Sequence, residues 1–217
     1  MRTIFGVPKI WIYAQIMFFW ALFAHYKRNR GSSPLLWGYE TFTGGWFRLN
    51  NELFTGHLRS SFLMIDWKRF DKYALFEVCD DITDITRTFL TFDHGYMPTK
   101  DYPDTDTQWN TLKSQRLERL WNWCKLAFHD TPIVLPDGRK FKRKYAAIPS
   151  GLYTTQFTDS GYNTVQIITI LDSLNVPIPD PNSHNVKIMG DDSLIKIGIY
   201  VAPDEHDAFL TKMQDKA

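Results

Sequence analysis

Cysteine is nearly missing from this 217-residue sequence, with only Cys79 and Cys124, and its six histidines form no HxxxH pair. Two thiols cannot build a disulfide framework or a cysteine-based zinc site, and scattered histidines argue against a His-rich metal centre. A reducing compartment fits. Internal repeats and low-complexity tracts are absent too. With 44% hydrophobic and 23% charged residues the composition excludes a disordered or collagen-like chain. What is abundant is aromatic: 8 Trp, 10 Tyr and 16 Phe, a load that requires a packed core.

Net charge is also small, +1, but the sum conceals alternating blocks. Residues 1–60 carry seven basic and two acidic groups, 61–132 nine and twelve, 133–151 five and one, and 152–217 four and nine. Acidic blocks can gather cations and basic blocks can hold phosphates. Solvated charge clusters by chance on many soluble proteins, so the alternation needs motifs behind it.

No uninterrupted apolar run reaches the ~20 residues that a membrane-spanning helix requires. The longest, Ile10–Ala24, is 15 residues, contains Gln15 and follows Arg2 and Lys9. It imitates a secretory signal, which leaves open a secreted or membrane-anchored, non-enzymatic binding protein. Pro8 is placed to open a helix, and apolar residues wrap nearly all round it. The expectation is a buried helix.

Further along, Tyr26–Ser33 reads as a basic loop and Gly44-Gly45 as a turn. Phe62–Ile65 reads as a buried strand, and Tyr73–Leu90 and Thr111–Phe128 as helices. Between those helices His94–Asp106 reads as an irregular insertion. A hairpin is expected from Ile133–Leu135 and Lys140–Tyr145 around Pro136-Asp137-Gly138. Thr154–Leu174 reads as a helix, Val186–Met189 and Leu194–Tyr200 as a second hairpin, and a last helix begins near Pro203. The fold class is α+β, with strands that need not be parallel.

Three acids stand out. Asp191 and Asp192 follow Gly190 at the tip of the second hairpin, where adjacent carboxylates repel unless a cation sits between them. An Asp-rich turn is the plain alternative. Asp66 ends an apolar strand, and Asp71 lies about one helical turn beyond it. If the strands are neighbours, Asp66 and Asp191 can bridge two Mg²⁺ or Mn²⁺ ions roughly 3.5–4 Å apart, with hard oxygen ligands and no His or Cys. Between them in sequence, Ile148–Gln156 offers a Gly-hinged loop with hydroxyls, able to hold a nucleotide's sugar or merely to cap a helix.

Taken in order, these residues resemble the palm of viral RNA-dependent RNA polymerases, most closely those of partitivirus-like double-stranded RNA viruses. The first palm motif is similar to Asp66-Trp-Lys-Arg-Phe-Asp71, the second to Pro149–Asn163, and the third to Met189-Gly-Asp-Asp-Ser-Leu194. Arg2–Lys9 is similar to the tail of a basic fingers motif. The resemblance implies a fingers-like segment at 1–60 and a palm core at 61–217. Within the core, motif A would span 62–73, a fingers insertion about 93–148, motif B 149–163 and motif C 186–200, and the thumb would be absent.

The resemblance also implies roles. Asp66, Asp191 and Asp192 would be catalytic metal ligands for two Mg²⁺ (or Mn²⁺) ions. Asp71, Ser150, Gly151, Thr155, Asp159, Asn163, Arg2 and Lys9 would contact the nucleotide. Lys140, Lys142, Arg143 and Lys144 would lie near RNA. Asp159 stands where picornavirus-like polymerases place Asn, with Asn163 four residues on, so either side chain is a candidate reader of the 2′-hydroxyl. The reaction implied is in-line attack of an RNA 3′-hydroxyl on an NTP α-phosphate. Partners would be RNA template and product, NTPs and a viral capsid protein, with no membrane, in host cytoplasm within virus particles. A reverse transcriptase shares the acids but usually places a bulky aromatic near Asp71 and another before the acid pair, where this chain has Met189-Gly190. A palm that binds RNA without catalysis is the third reading. A partial polymerase of this kind is expected to be poorly soluble and inactive in isolation.

Overall fold

The computed structural model describes residues 6–54, 60–93, 111–177 and 185–216. Arg2 and the insertion expected at His94–Asp106 lie outside them. The chain opens on α1 (Lys9–Arg28), entered through Pro8, and its last turn carries His25, Lys27 and Arg28, which suit the negative end of the helix dipole. One face of α1 buries Trp11, Ala14, Gln15, Phe18, Phe19 and Phe23, whereas Ile10, Tyr13 and Trp20 stay exposed. That corrects the expectation of a helix buried all round. Its neighbours cover only one side.

A sheet organises the remainder of the fold. Strands β1 (Phe62–Ile65), β4 (Val186–Met189) and β5 (Asp192–Lys196) pair antiparallel in the order β1-β5-β4, with Ile65 opposite Ser193 and Met189 opposite Asp192. The second strand of this hairpin therefore starts at Asp192 and ends at Lys196, earlier than Leu194–Tyr200 suggested. Beyond β4, Pro34–Leu36 extends the sheet: the Ile188 N–H donates to Pro34 (2.9 Å), and the Leu36 N–H donates to Ile188 (3.0 Å).

Under the sheet lies α6 (Thr155–Ser173), whose Ile167, Ile170 and Leu171 meet Leu63, Val186, Ile188, Ile195 and Ile197 in one buried cluster. Each such aliphatic side chain stabilises the fold by roughly 1.5–3 kcal/mol relative to exposure. A second, aromatic cluster joins α1 to α5 (Thr111–Asp130) and to α6. Phe19 stacks on Trp121 with ring centres 5.6 Å apart, and Phe23 meets Phe157 at 5.5 Å.

Between β1 and α5, the helix expected at Tyr73–Leu90 is broken into α3 (Phe70–Tyr73) and α4 (Phe76–Arg87). The break has a cause. At Ala74 and Leu75 the backbone turns aside to pair with the strip that leads to α6: the Ala147 N–H donates to Ala74 and the Phe76 N–H to Tyr145, both at 2.9 Å. The small hairpin forms as expected but is shorter, with β2 (Ile133–Val134) and β3 (Lys140–Phe141). α2 (Gly45–Leu53) and α7 (His206–Gln214) complete the α-helices described.

Candidate active site

Asp66 is the first residue after β1, and continuation of the β1–β5 register sets it opposite Asp192. Asp191 occupies the two-residue turn between β4 and β5. Gly190 takes the other turn position with φ +68°, a conformation that costs an L-residue roughly 1–2 kcal/mol and glycine almost nothing. The two acids expected to work together are thus delivered to one end of the sheet by three adjacent strands.

α6 fixes this turn from beneath. The Asn163 amide nitrogen donates to the main-chain carbonyls of Gly190 (3.1 Å) and Asp191 (2.9 Å), while its oxygen accepts from the Trp67 indole N–H (2.8 Å). Ser160 Oγ accepts from the Gly190 N–H at 2.9 Å. Both Ser160 and Asn163 are fully buried, with 0% exposure. The polar atoms of Asn163 are thus committed to backbone and indole, and the side chain positions the turn. No sequence pattern singled out Trp67 or Ser160, because each acts through a partner distant in the chain.

One turn earlier on α6, Asp159 faces the acids. Burial, then the charges of Asp191 and Asp71, push its carboxyl up to about 7. Its Oδ1 is buried with no hydrogen-bond partner, a costly state for an ionised carboxylate. Asp71 lies in α3, and its carbonyl accepts from the Ile148 N–H at 2.8 Å, which ties the first acid segment to the loop before α6. Asp66, Asp71, Asp159 and Asp191 therefore belong to one acidic end of the sheet, and Asp66 opens onto a cleft of about 670 Å³ also lined by Trp67, Lys68 and Tyr162.

The loop 149–155 is held rather than loose. Thr155 Oγ1 donates to the Pro149 carbonyl at 2.7 Å, the Tyr153 N–H donates to Gln15 Oε1 at 3.0 Å, and Gln15 Nε2 donates to Thr154 Oγ1 at 3.0 Å. Gln15, the polar interruption in the apolar N-terminal run, is thus a buried clamp from α1. Ser150 is exposed and Gly151 half-buried in this loop.

The basic strip divides. The Arg143 guanidinium donates to the carbonyls of Ala147 (2.6 Å) and Phe128 and lies over the rings of Phe76 and Phe128. In this arrangement it braces the approach to α6. Lys142 pairs with Asp130 at 2.7 Å on the surface. Lys140 and Lys144 are exposed. Lys9, at the start of α1, is exposed as well.

Among the described residues no group of three or more His, Cys, Asp or Glu side chains is gathered tightly enough to hold an ion by itself. The donor set still fits a hard cation. Mg²⁺ is commonly held by one or two carboxylates, with water and substrate phosphates completing its shell. Asp66 and Asp191 supply two carboxylates at the sheet end. The orphaned Oδ1 of Asp159 marks that end as short of positive charge.

An antiparallel sheet that carries one acid at a strand end and a second in the neighbouring hairpin turn, backed by a helix and its loop, is a polymerase palm. Its likeness to solved structures agrees. A crystal structure of the RNA-dependent RNA polymerase of a human picorbirnavirus matches 98% of this chain and 35% of its own, with a TM-score of 0.64 and 15% identity. The insertion-loop deletion mutant of that polymerase matches equally well, at 0.64. The sequence narrows the class: a family model described as viral RNA-dependent RNA polymerase matches residues 1–213, and the chain belongs to that family. It is 49% identical over 210 residues to the RNA-directed RNA polymerase of White clover cryptic virus 1, covering 97% of this chain and 33% of that protein. It is 27% identical to that of Atkinsonella hypoxylon virus, covering 90% and 32% respectively. The chain thus spans about a third of the length of the curated relatives it matches. Among the described residues no helix is long and apolar enough to cross a membrane, and the binding-protein reading has no support.

Proposed function

We propose that this chain forms the palm and part of the fingers of an RNA-directed RNA polymerase that joins NTPs to an RNA 3′-hydroxyl under template control. The observation that carries this is the delivery of Asp66 and Asp191 to one end of a sheet, by a hairpin turn that Asn163 and Ser160 hold from below. Asp66 and Asp191 would hold two Mg²⁺ or Mn²⁺ ions, with Asp192 beside them. Bound ions would sharpen the attacking hydroxyl and neutralise charge on the phosphates. Asp71 and Asp159 would face the ribose, with Asp159 the reader of the 2′-hydroxyl of the two candidates, and Ser150, Gly151 and Thr155 would shape the sugar pocket. A division into a fingers-like segment at 1–60 and a palm at 61–217 follows the motif order. The aromatic cluster shared by α1, α5 and α6 packs the two against each other.

The resemblance to double-stranded RNA virus polymerases supports RNA template and product and NTPs as partners, and a capsid protein alongside them. It also supports work in host cytoplasm within virus particles. The test is Asp191→Asn in a polymerase chain that includes these residues. Nucleotide incorporation should vanish while RNA affinity holds, and persistence of incorporation would remove Asp191 from the metal site.

A further inference from the structure

Three ion pairs tie α4 to α5 in antiparallel register: Asp80 with His129 at 2.9 Å, Asp84 with Lys125 at 2.8 Å, and Arg87 with Glu118. The Arg87 guanidinium also lies 3.9 Å from the centre of the Phe92 ring. Charges along the facing edges of the two helices are thus satisfied within the chain. On the outer faces four are not. Glu77 and Asp81 of α4 and Arg116 and Arg119 of α5 are exposed, and none forms an ion pair among the described residues. Cys79, Ile82 and Thr86 of α4 and Trp121 of α5 turn inward, because α4 packs on α6 and α5 on α1. One two-helix face is left outward. Apolar side chains stand on it between the acids and the bases: Ile85 is 56% exposed, Trp123 41% and Leu126 61%.

The spacing on this face is self-complementary. The pairs Asp80–His129 and Asp84–Lys125 set Ile85 level with Cys124 and beside Trp123. Asp81 lies one turn before Ile85, and Arg119 one turn before Trp123. Because the helices run in opposite directions, the acid and the base fall on opposite sides of this level, each about 6 Å away at 1.5 Å per residue. Glu77 and Arg116 follow at about 12 and 11 Å. We propose that this face is an isologous interface between two copies of this chain. A two-fold axis crossing the helices at Ile85 and Trp123 sets those apolar side chains against their own copies. It also brings Glu77 and Asp81 of each copy to Arg116 and Arg119 of the other. The charge pairing is then made twice, as a closed two-fold contact requires. A polyanion such as RNA would meet Arg116 and Arg119 but be repelled by Glu77 and Asp81 on the same face, whereas a second copy uses all four. The interface goes beyond the polymerase reading and does not rest on it, since none of the residues assigned to the acid site belongs to this face.

Sedimentation velocity on a polymerase chain that includes these residues tests the interface, at concentrations up to about 50 μM, enough to populate a pair of micromolar affinity. The wild-type chain should sediment as a dimer, and added salt should shift it toward monomer by screening the exposed charges. Glu77→Lys with Asp81→Lys should give a monomer, and so should Arg116→Glu with Arg119→Glu. An equimolar mixture of these two variants should dimerise again, because every facing pair of charges is then of opposite sign. Trp123→Ala should weaken the dimer about tenfold. All five positions are exposed, and circular dichroism checks that each variant keeps the fold. A wild-type chain that stays monomeric, a dimer that survives either charge reversal, or a mixture that stays monomeric would overturn the interface. A monomeric wild type whose affinity for single-stranded RNA falls in the Arg116→Glu, Arg119→Glu variant would assign the face to RNA instead. Asp191→Asn should dimerise like the wild type while losing incorporation, so failure of the interface and failure of the polymerase reading are told apart.

Discussion

The side-chain amide of Asn163 donates to the main-chain carbonyl of Asp191 at 2.9 Å, from a position with no solvent exposure. One residue therefore holds the acid turn and, through Trp67, the segment after β1. Asn163→Ala would remove the amide that meets two carbonyls and the Trp67 indole N–H. An unmet buried group costs about 1–3 kcal/mol, so urea unfolding should show a loss of at least 2 kcal/mol. Asn163→Asp keeps the acceptor for Trp67 and loses both donations, adding a carboxylate near Asp191; it should be no better. A loss under 0.5 kcal/mol in both variants would refute the clamp.

Asp159 makes stability depend on pH. Its carboxyl is held up at about 7, above the ordinary carboxylate value near 3.8, chiefly by burial. The folded chain then keeps a proton that the unfolded chain has released. Below pH 4 this group makes no difference. As pH rises from about 4 to 7 the folded state loses stability, by up to about 4 kcal/mol if the whole shift is expressed. Asp159→Asn, measured in EDTA, should raise the melting temperature at pH 8 and leave it unchanged at pH 4. Equal stabilisation at both values would contradict the assignment.

Lys187, 1% exposed on β4, reaches Glu52 of α2 at 2.7 Å, and Glu52 also accepts from the Tyr39 hydroxyl at 2.6 Å. Removing one partner strands a buried charge, at a cost of about 3–5 kcal/mol. Glu52→Gln should therefore unfold at markedly lower denaturant, whereas Lys187→Met combined with Glu52→Gln should recover most of the loss. Additive losses in a double-mutant cycle would argue against direct pairing.

Gly45 is confined by its surroundings. A Cβ there would stand 2.2 Å from the Tyr39 carbonyl oxygen, and backbone cannot give way as a side-chain tip can. Gly45→Ala should destabilise by about 1–3 kcal/mol despite the better helix propensity of alanine. It should also loosen the strap at 36–40 beside β4, seen as faster amide exchange at Leu36 and Ile188. A neutral or stabilised variant would show that the strap has room.

Much of this molecule was legible because local pattern and tertiary role coincide. Phe62–Ile65 is a short apolar run and Val186–Met189 an apolar run broken only by Lys187, each closed by turn residues, and they are strands with those bounds. The Gly-Asp turn was readable because glycine there answers a backbone need. What escaped was set by partners distant in sequence. Asn163 looked like a nucleotide contact, yet Trp67 and the acid turn claim its amide. Arg143 looked like one of a basic strip, yet two carbonyls and two rings hold it. α1 looked apolar nearly all round, but nothing in a 15-residue run with Gln15 as its one polar member tells which face will be covered.

Ile65 pairs with Ser193 at the acid end of the central strand contact, so that end of the sheet is assembled from segments far apart in the sequence. Contacts of such separation form late and slowly. A ribosome that has made residues through α6 has produced Asp66, Asp71 and Asp159, but no strand to hold them in register. Until β5 has emerged, the nascent chain carries carboxylates without a site. The order of synthesis thereby delays any cation or RNA capture at this place until nearly the whole of the described chain is available to fold.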